Sequence, residues 1–206
     1  MSARLRDRLV ALLRERSFER KKVVLASGRE SDFFIDCKQT VLTAEGHALV
    51  GELLFDLLRD FPRLAAVAGV ELGGCPLASA VSLRSFQRGA PIDAIYVRKD
   101  AKDHGSKRDL EGNVHLAPNS RVVLVEDVIT TGGSAREVIE VLKGFDVPAA
   151  AVAGIVNRSG GNPFAKDGLE LSTLCAVQAN AWKPEACPLC QAGGKAIKPG
   201  SRPQPA

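Results

Sequence analysis

Short apolar runs alternate along this chain with segments that carry helix signals. The apolar runs are 64–70, 92–98, 121–125 and 149–156, and helices are predicted at 44–59, 77–86 and 134–143. Strands that alternate with helices are typical of crossover connections, which make neighbouring strands parallel. The pattern therefore predicts an α/β fold, with a mainly parallel central sheet flanked by helices.

Composition narrows the class of protein further. The 206 residues are 45% hydrophobic and 25% charged, which is ordinary for a globular domain. No apolar run reaches the roughly 18 to 20 residues that a membrane span requires, and the Arg-rich N-terminus lacks the apolar core of a secretory signal. We therefore expect a cytoplasmic protein without a membrane partner.

The net charge of +4 is too small to indicate nucleic-acid binding by itself. Its distribution is uneven, because residues 1–22 carry five more basic than acidic side chains and residues 98–109 carry two more. We interpret the N-terminal excess as the solvated face of a packing helix. The excess at 98–109 lies in a long polar stretch, 99–120, and such loops often act as lids.

The chain changes character after about residue 182, where prolines and glycines accumulate. We predict a domain at 1–182 and an irregular tail at 183–206. The tail contains a Cys-x-x-Cys pair, Cys187 and Cys190. Structural thiols, half of a metal site completed in a dimer, and a redox pair all remain open.

The segment from Arg121 to Ala135, RVVLVEDVITTGGSA, carries the most chemistry. An apolar strand leads into Glu126 and Asp127, and the small residues 130–134 precede a helix. Small residues let backbone N–H groups approach an anion, and the helix N-terminus adds positive potential. The carboxylates would repel phosphate but accept hydrogen bonds from sugar hydroxyls. The segment therefore predicts a site for a ribose 5-phosphate group.

This segment closely resembles the phosphoribosyl pyrophosphate (PRPP) motif of the type I phosphoribosyltransferases. The resemblance implies their fold, with a small N-terminal hood within residues 1–40 and a flexible catalytic loop. It also implies PRPP contacts from the whole motif: Glu126, Asp127, Val128, Ile129, Thr130, Thr131, Gly132, Gly133 and Ser134.

The stretch Tyr96–Gly112, YVRKDAKDHGSKRDLEG, resembles the catalytic loop of the orotate phosphoribosyltransferases within that family. Four residues match its hallmark: Arg98, Lys99, Lys102 and His104. Positive charge there would stabilise the pyrophosphate that leaves PRPP. The resemblance therefore assigns these four residues to catalysis and to PRPP binding.

Two further stretches resemble the orotate site of these enzymes. In LASGRESDFFIDCK, Phe33 and Phe34 are suited to cover a flat pyrimidine ring, although one of them is expected to belong to the core. The resemblance also makes Arg158 the partner of the orotate carboxylate, which its planar fork matches. Thr130 completes the implied orotate contacts.

The chain departs from the family pattern at two positions. Some members carry lysine where Ala26 and Gly73 stand here. The stretch Gly69–Ala78 resembles the pyrophosphate loop, so it would bind pyrophosphate mainly through backbone N–H groups and the metal. Lys38 or Arg29 are candidates to replace the missing charge.

Together the resemblances imply Mg²⁺-dependent transfer of ribose 5-phosphate from PRPP to orotate, a step of pyrimidine (UMP) synthesis. They imply no direct protein ligand to Mg²⁺ and a homodimer with shared active sites. Two alternatives remain: a phosphoribosyltransferase for another base, such as a purine, and a PRPP-sensing regulator of nucleic acid. The matched loop cations argue against both, and we expect no nucleic-acid partner.

Overall fold

The computed structural model describes residues 2–19, 23–24, 30–98, 110–112, 115–145, 147–178 and 181–182. Its first part is a helix, α1 (Ala3–Leu12), which continues as a π-helical turn over Leu13–Ser17. Leu9 and Leu12 are buried, whereas Arg8 lies outside and donates two hydrogen bonds to Glu45, at 2.6 and 2.8 Å. Helix α1 is therefore a packing helix with a solvated basic face.

Short strands follow α1 and form two small sheets beside the main one. They are β1 (Phe18–Glu19), β2 (Val23–Val24), β3 (Glu30–Ser31) and β4 (Phe34–Ile35). Strand β1 pairs with β4, and β2 pairs with β3, both in antiparallel register. Helices α2 (Lys38–Val41) and α3 (Ala44–Leu58) lead from them into the main domain.

The rest of the chain builds a six-stranded sheet. Its strands are β5 (Leu64–Val70), β6 (Asp93–Val97), β7 (Leu110–Gly112), β8 (Arg121–Ile129), β9 (Ala149–Asn157) and β10 (Glu170–Ala176). The order is β10-β9-β8-β5-β6-β7, and only the edge strand β7 is antiparallel to its neighbour. The predicted α/β fold with a mainly parallel sheet is confirmed.

Helices cover both faces of this sheet. They include α4 (Gly74–Gln87) and α5 (Gly133–Gly144), and a 3₁₀ turn follows at Ala165–Asp167. Successive residues of β8 enter different cores: Val123 and Val125 pack with α3 and α4, and Val122 and Leu124 pack with α5. Burial on both faces is why the strands are continuous apolar runs.

Some element boundaries differ from the predicted ones. Strand β8 continues past residue 125 to Ile129, because β9 offers hydrogen-bonding partners as far as Asn157. The two carboxylates consequently lie within a strand. Helix α4 begins at Gly74, before Pro76, since proline needs no N–H partner in a first turn. The polar stretch 99–120 contains strand β7.

The last strand, β11 (Ala181–Trp182), pairs with β3 and so joins the end of the described chain to its N-terminal part. The predicted tail, 183–206, with Cys187 and Cys190, lies outside the described residues. In the part of the chain that is described, no helix is long and apolar enough to cross a membrane.

Candidate active site

The predicted phosphate site, residues 130–134, includes the turn between β8 and α5, and we call these residues the cradle. Strand β8 ends at Ile129, and α5 begins at Gly133. Gly132 between them has a left-handed backbone with φ of 77°, and a Cβ there would lie 2.7 Å from the buried Phe164 ring. Glycine is therefore required by both conformation and space. The turn lines a small pocket with these residues: Glu126, Val128, Ile129, Thr130, Gly132, Gly133, Ser134 and Ala135.

A glycine-rich segment, residues 69–74 (the glycine loop), packs against Asp127 of the neighbouring strand β8. It joins β5 to α4, and a Cβ on Gly69 would lie 2.2 Å from the Gly74 carbonyl oxygen. A Cβ on Gly73 would lie 2.7 Å from Oδ2 of Asp127. The Asp127 carboxylate thus occupies the space where a side chain at position 73 would begin. Its Oδ1 accepts a hydrogen bond from the Val128 N–H at 2.8 Å.

Arg158 follows β9 and is buried, with 8% of its surface exposed. Its Nη2 donates to the Ser31 hydroxyl at 3.2 Å, and its guanidinium carbon lies 4.2 Å from the centroid of the Phe33 ring. Within the described residues, its buried Nε has no hydrogen-bond partner. Burial lowers the pKa of this guanidinium, although the negative charge of Asp32 opposes the shift. A buried cation with an unused donor is suited to bind an anion.

The two adjacent phenylalanines have different environments. Phe33 is 7% exposed and belongs to the hydrophobic core, where its ring lies 5.2 Å from that of Phe18. Phe34 is half-buried in β4. The expectation that one of the pair belongs to the core agrees with Phe33. Phe33 also supports Arg158, so it contributes to the geometry of this site.

The predicted catalytic loop begins at the end of β6. Arg98 follows that strand, and its Nη1 donates to Oε1 of Glu111 on β7 at 3.1 Å. Lys99, Lys102 and His104 lie outside the described residues, as do Ala26 and Arg29. Strands β5, β6, β8 and β9 are parallel, so their C-terminal ends lie at one edge of the sheet. The segments that follow these ends therefore lie at that edge: the glycine loop, Arg98, the cradle and Arg158.

The start of helix α2 and the two residues before it add three groups to this edge: Asp36, Cys37 and Lys38. Sequence reasoning did not place these three together. The buried Cys37 thiol approaches the Asp127 carbonyl oxygen, with 3.8 Å between sulfur and oxygen. Lys38 Nζ lies 2.8 Å from Oδ1 of Asp36. Burial opposes charge on Lys38, but the hydrogen bond to Asp36 and the negative charge of Asp127 prevail and raise the pKa of the ammonium.

Ser31 was also missed by sequence reasoning. It hydrogen-bonds to Arg158 across 127 positions of the chain, and no local pattern signals such a contact. Arg136, in the first turn of α5, is a third omission. A cation at a helix N-terminus opposes the helix dipole, and this could have drawn notice to it.

The fold and this site define a class of protein. Residues 41–188 match the phosphoribosyl transferase domain family. An orotate phosphoribosyltransferase from Sorangium cellulosum is 60% identical over 172 residues, which are 82% of this chain and 90% of that protein. The chain belongs to the orotate phosphoribosyltransferases within the wider family.

Solved structures agree with this membership. An orotate phosphoribosyltransferase from Mycobacterium tuberculosis H37Rv, in complex with Fe(III) dicitrate, is 33% identical with a TM-score of 0.70, covering 84% of this chain and 97% of that one. A structure of the orotate phosphoribosyltransferase from that organism in complex with PRPP is 28% identical with a TM-score of 0.67, covering 86% and 92%. The predicted type I phosphoribosyltransferase fold is thereby confirmed.

Proposed function

We propose that this chain transfers the 5-phosphoribosyl group of PRPP to orotate, giving orotidine 5′-monophosphate and pyrophosphate. The proposal rests on one observation: two candidate anion sites of different chemistry lie at the same edge of the sheet. The cradle after β8 suits a phosphate, and the buried Arg158 after β9 suits a carboxylate. This product would place the reaction in pyrimidine nucleotide synthesis.

The cradle and the acidic pair would hold the transferred group. Backbone N–H groups and hydroxyls of residues 130–134 would bind the 5-phosphate. Glu126 and Asp127 would accept hydrogen bonds from the ribose hydroxyls, and their charge would favour positive charge on the sugar ring as the bond to pyrophosphate breaks. The ring nitrogen of orotate then forms the new bond to the anomeric carbon, with inversion, and the proton of that nitrogen passes to the departing pyrophosphate. No protein nucleophile is required.

Arg158 would bind the orotate carboxylate and orient the base. Its Nε is buried and its Nη2 is anchored to Ser31, so the guanidinium is held in place before the base arrives. Phe33 supports the guanidinium from one side. Together with Phe34 and Thr130, these groups would place the pyrimidine beside the anomeric carbon. Such positioning converts a bimolecular encounter into a local one.

Arg98, Lys99, Lys102 and His104 would neutralise the charge that develops on pyrophosphate. The Arg98 guanidinium donates a hydrogen bond to Glu111 on β7, and this bond holds the first of the four residues in place. In the proposed homodimer, the loop reaches the neighbouring subunit's site. Mixing two inactive variants, Lys102→Ala and Arg158→Met, would then restore about a quarter of the activity, because half of the dimers are mixed and each has one intact site. No recovery after mixing would contradict shared sites.

Mg²⁺ would be held mainly by PRPP oxygens. Within the described residues, no group of three or more His, Cys, Asp or Glu side chains is arranged to hold a metal ion. The carboxylates of Glu126 and Asp127 are hard oxygen donors that suit the hydroxyl groups around such an ion. When bound, Mg²⁺ supplies charge neutralisation of pyrophosphate.

Some family members have a lysine at the position of Gly73, and Lys38 is our candidate to supply that missing positive charge. Its ammonium is fixed by Asp36 and lies within electrostatic reach of Asp127. We expect Lys38→Met to raise the Michaelis constant for PRPP. An unchanged constant would reject this role for Lys38.

The direct test is the loss of orotate absorbance after PRPP and Mg²⁺ are added to the full chain. We expect turnover with orotate and none after chelation of Mg²⁺. When adenine or hypoxanthine replaces orotate, we expect no release of pyrophosphate. Pyrophosphate release with a purine, but not with orotate, would favour the phosphoribosyltransferase for another base.

A further inference from the structure

Arg136 makes an unusual set of contacts for a cation in the first turn of a helix. Such a charge is disfavoured there because it opposes the helix dipole. The guanidinium is nevertheless held by three acceptors. Nε donates to Oδ2 of Asp167 at 3.0 Å, Nη1 donates to the Thr131 carbonyl oxygen at 3.0 Å, and Nη2 donates to the Pro163 carbonyl oxygen.

An aromatic ring completes the arrangement. The Arg136 guanidinium carbon lies 5.5 Å from the centroid of the Phe164 ring, which is fully buried. The same ring packs against Gly132, where a Cβ would approach it to 2.7 Å. Arg136 and Phe164 both contact the cradle, and neither of them is among the residues that line the small pocket.

The contact with Thr131 has a consequence for the next residue. In a trans peptide, the carbonyl and the following N–H point in opposite directions. When Arg136 holds the Thr131 carbonyl on one side of the turn, the Gly132 N–H is directed to the other. Gly132 lines the small pocket with Thr130 and Ser134 whereas Thr131 does not, so the pocket is where we expect the Gly132 N–H to point.

We propose that Arg136 is a positioning residue for phosphate binding: it fixes the Thr131–Gly132 peptide so that the cradle N–H groups face the 5-phosphate. The guanidinium acts from behind the turn and touches no substrate. By its bond to the Pro163 carbonyl, it also ties the cradle to the segment that follows Arg158. The role rests on the proposed function, since it concerns how the same site binds its sugar phosphate.

The test compares two ligands by calorimetry on the full chain: ribose 5-phosphate, which needs the cradle, and inorganic pyrophosphate, which is assigned to the glycine loop. We expect Arg136→Ala to weaken ribose 5-phosphate binding about tenfold, since misdirected N–H groups lose their bonds to the anion. Pyrophosphate affinity should stay within about twofold. The Michaelis constant for PRPP should rise more than the turnover number falls.

Two further variants guard against a purely structural effect. Asp167→Asn leaves the guanidinium and both carbonyl contacts in place, so ribose 5-phosphate affinity should stay within about twofold. Arg136→Lys keeps the charge but cannot reach three acceptors, so affinity should fall between those of Arg136→Ala and the unmodified chain. Lys143→Ala, in the last turn of α5, is the matched control, because Lys143 is exposed and donates a hydrogen bond to Glu140 on the outer face of the helix.

Equal weakening of both ligands in Arg136→Ala would overturn the proposal, as would unchanged ribose 5-phosphate binding. A loss in Asp167→Asn as large as in Arg136→Ala would also overturn it, because the carbonyl contacts would then not be decisive. If Arg136→Ala does not fold, unchanged ribose 5-phosphate affinity in Arg136→Lys would refute the role. Absence of orotate turnover in the unmodified chain would refute the proposed function alone, since ribose 5-phosphate binding is measured without a base.

Discussion

Arg158→Met should strongly weaken orotate recognition without unfolding the protein. Arg158 is buried, its guanidinium donates to the Ser31 hydroxyl at 3.2 Å, and it stacks on Phe33. Methionine is similar in length and can keep the contact with the aromatic ring. The substitution therefore removes the charge and its donors while most of the packing remains.

The opposing contributions to stability nearly cancel. The lost hydrogen bond and the cation–π contact are worth about 1 to 3 kcal/mol together. The desolvation penalty of the buried guanidinium, whose Nε has no hydrogen-bond partner among the described residues, is of similar size at about 1 to 3 kcal/mol and disappears as well. We therefore expect the free energy of unfolding to change by less than about 1 kcal/mol, which corresponds to a Tm shift below about 4 °C.

The loss of interaction free energy with orotate should be much larger than the change in the free energy of unfolding. A bidentate, charge-assisted pair between guanidinium and carboxylate contributes about 3 to 4 kcal/mol. At 1.36 kcal/mol per factor of ten, kcat/KM for orotate should fall about 10² to 10³-fold. The assay is steady-state loss of orotate absorbance at saturating PRPP, beside a thermal melt of the same preparation.

Arg121→Met is the matched control. Arg121 also lies over a phenylalanine ring, 4.7 Å from the centroid of Phe61, but at the start of β8, away from the site. It should leave orotate kinetics unchanged. An unchanged Michaelis constant for orotate in Arg158→Met would refute the reasoning, and so would an equal loss in Arg121→Met.

Three other predictions concern the cradle, the helix pair and the loop. Gly132→Ala should destabilise the fold by about 2 to 5 kcal/mol, because it adds left-handed strain and a clash with a buried ring, and urea unfolding would measure it. Glu52 is 9% exposed; despite burial, hydrogen bonds from Arg84 and Arg88 lower its pKa. Glu52→Gln should cost about 1 to 3 kcal/mol at neutral pH. This stabilisation is present above the ordinary carboxyl pKa and is lost as pH falls through the lowered value, so the two proteins should converge only below that lowered pKa. Lys102→Ala should lower turnover at least about 10²-fold with an unchanged melt.

Each of these has an outcome that would contradict it. Full stability of Gly132→Ala would mean that the ring of Phe164 can move aside. A difference between Glu52→Gln and the unmodified chain that persists at low pH would mean that the carboxylate charge is not responsible. A near-normal rate in Lys102→Ala would reject the assignment of the catalytic loop.

Local patterns predicted the main sheet well. The apolar run 64–70 coincides with β5, and 149–156 is β9 less its last residue. These strands are buried on both faces, so hydrophobicity alone marks them. The end of β8 was placed too early, because Glu126 and Asp127 are polar. Only pairing with β9 keeps those residues in a strand.

The sequence by itself determined the fold class, the cradle between β8 and α5, and the residue types that suit a sugar phosphate and a carboxylate. These properties depend on neighbours within about ten positions, where periodicity, glycines and helix starts are visible. The tertiary structure alone decided that Ser31 contacts Arg158, that Asp127 occupies the side-chain space at Gly73, and that Arg136 donates to the Thr131 carbonyl oxygen. Those contacts arise because parallel strands bring segments that are distant in the sequence to one edge of the sheet. Only the folded chain shows which of these segments meet there.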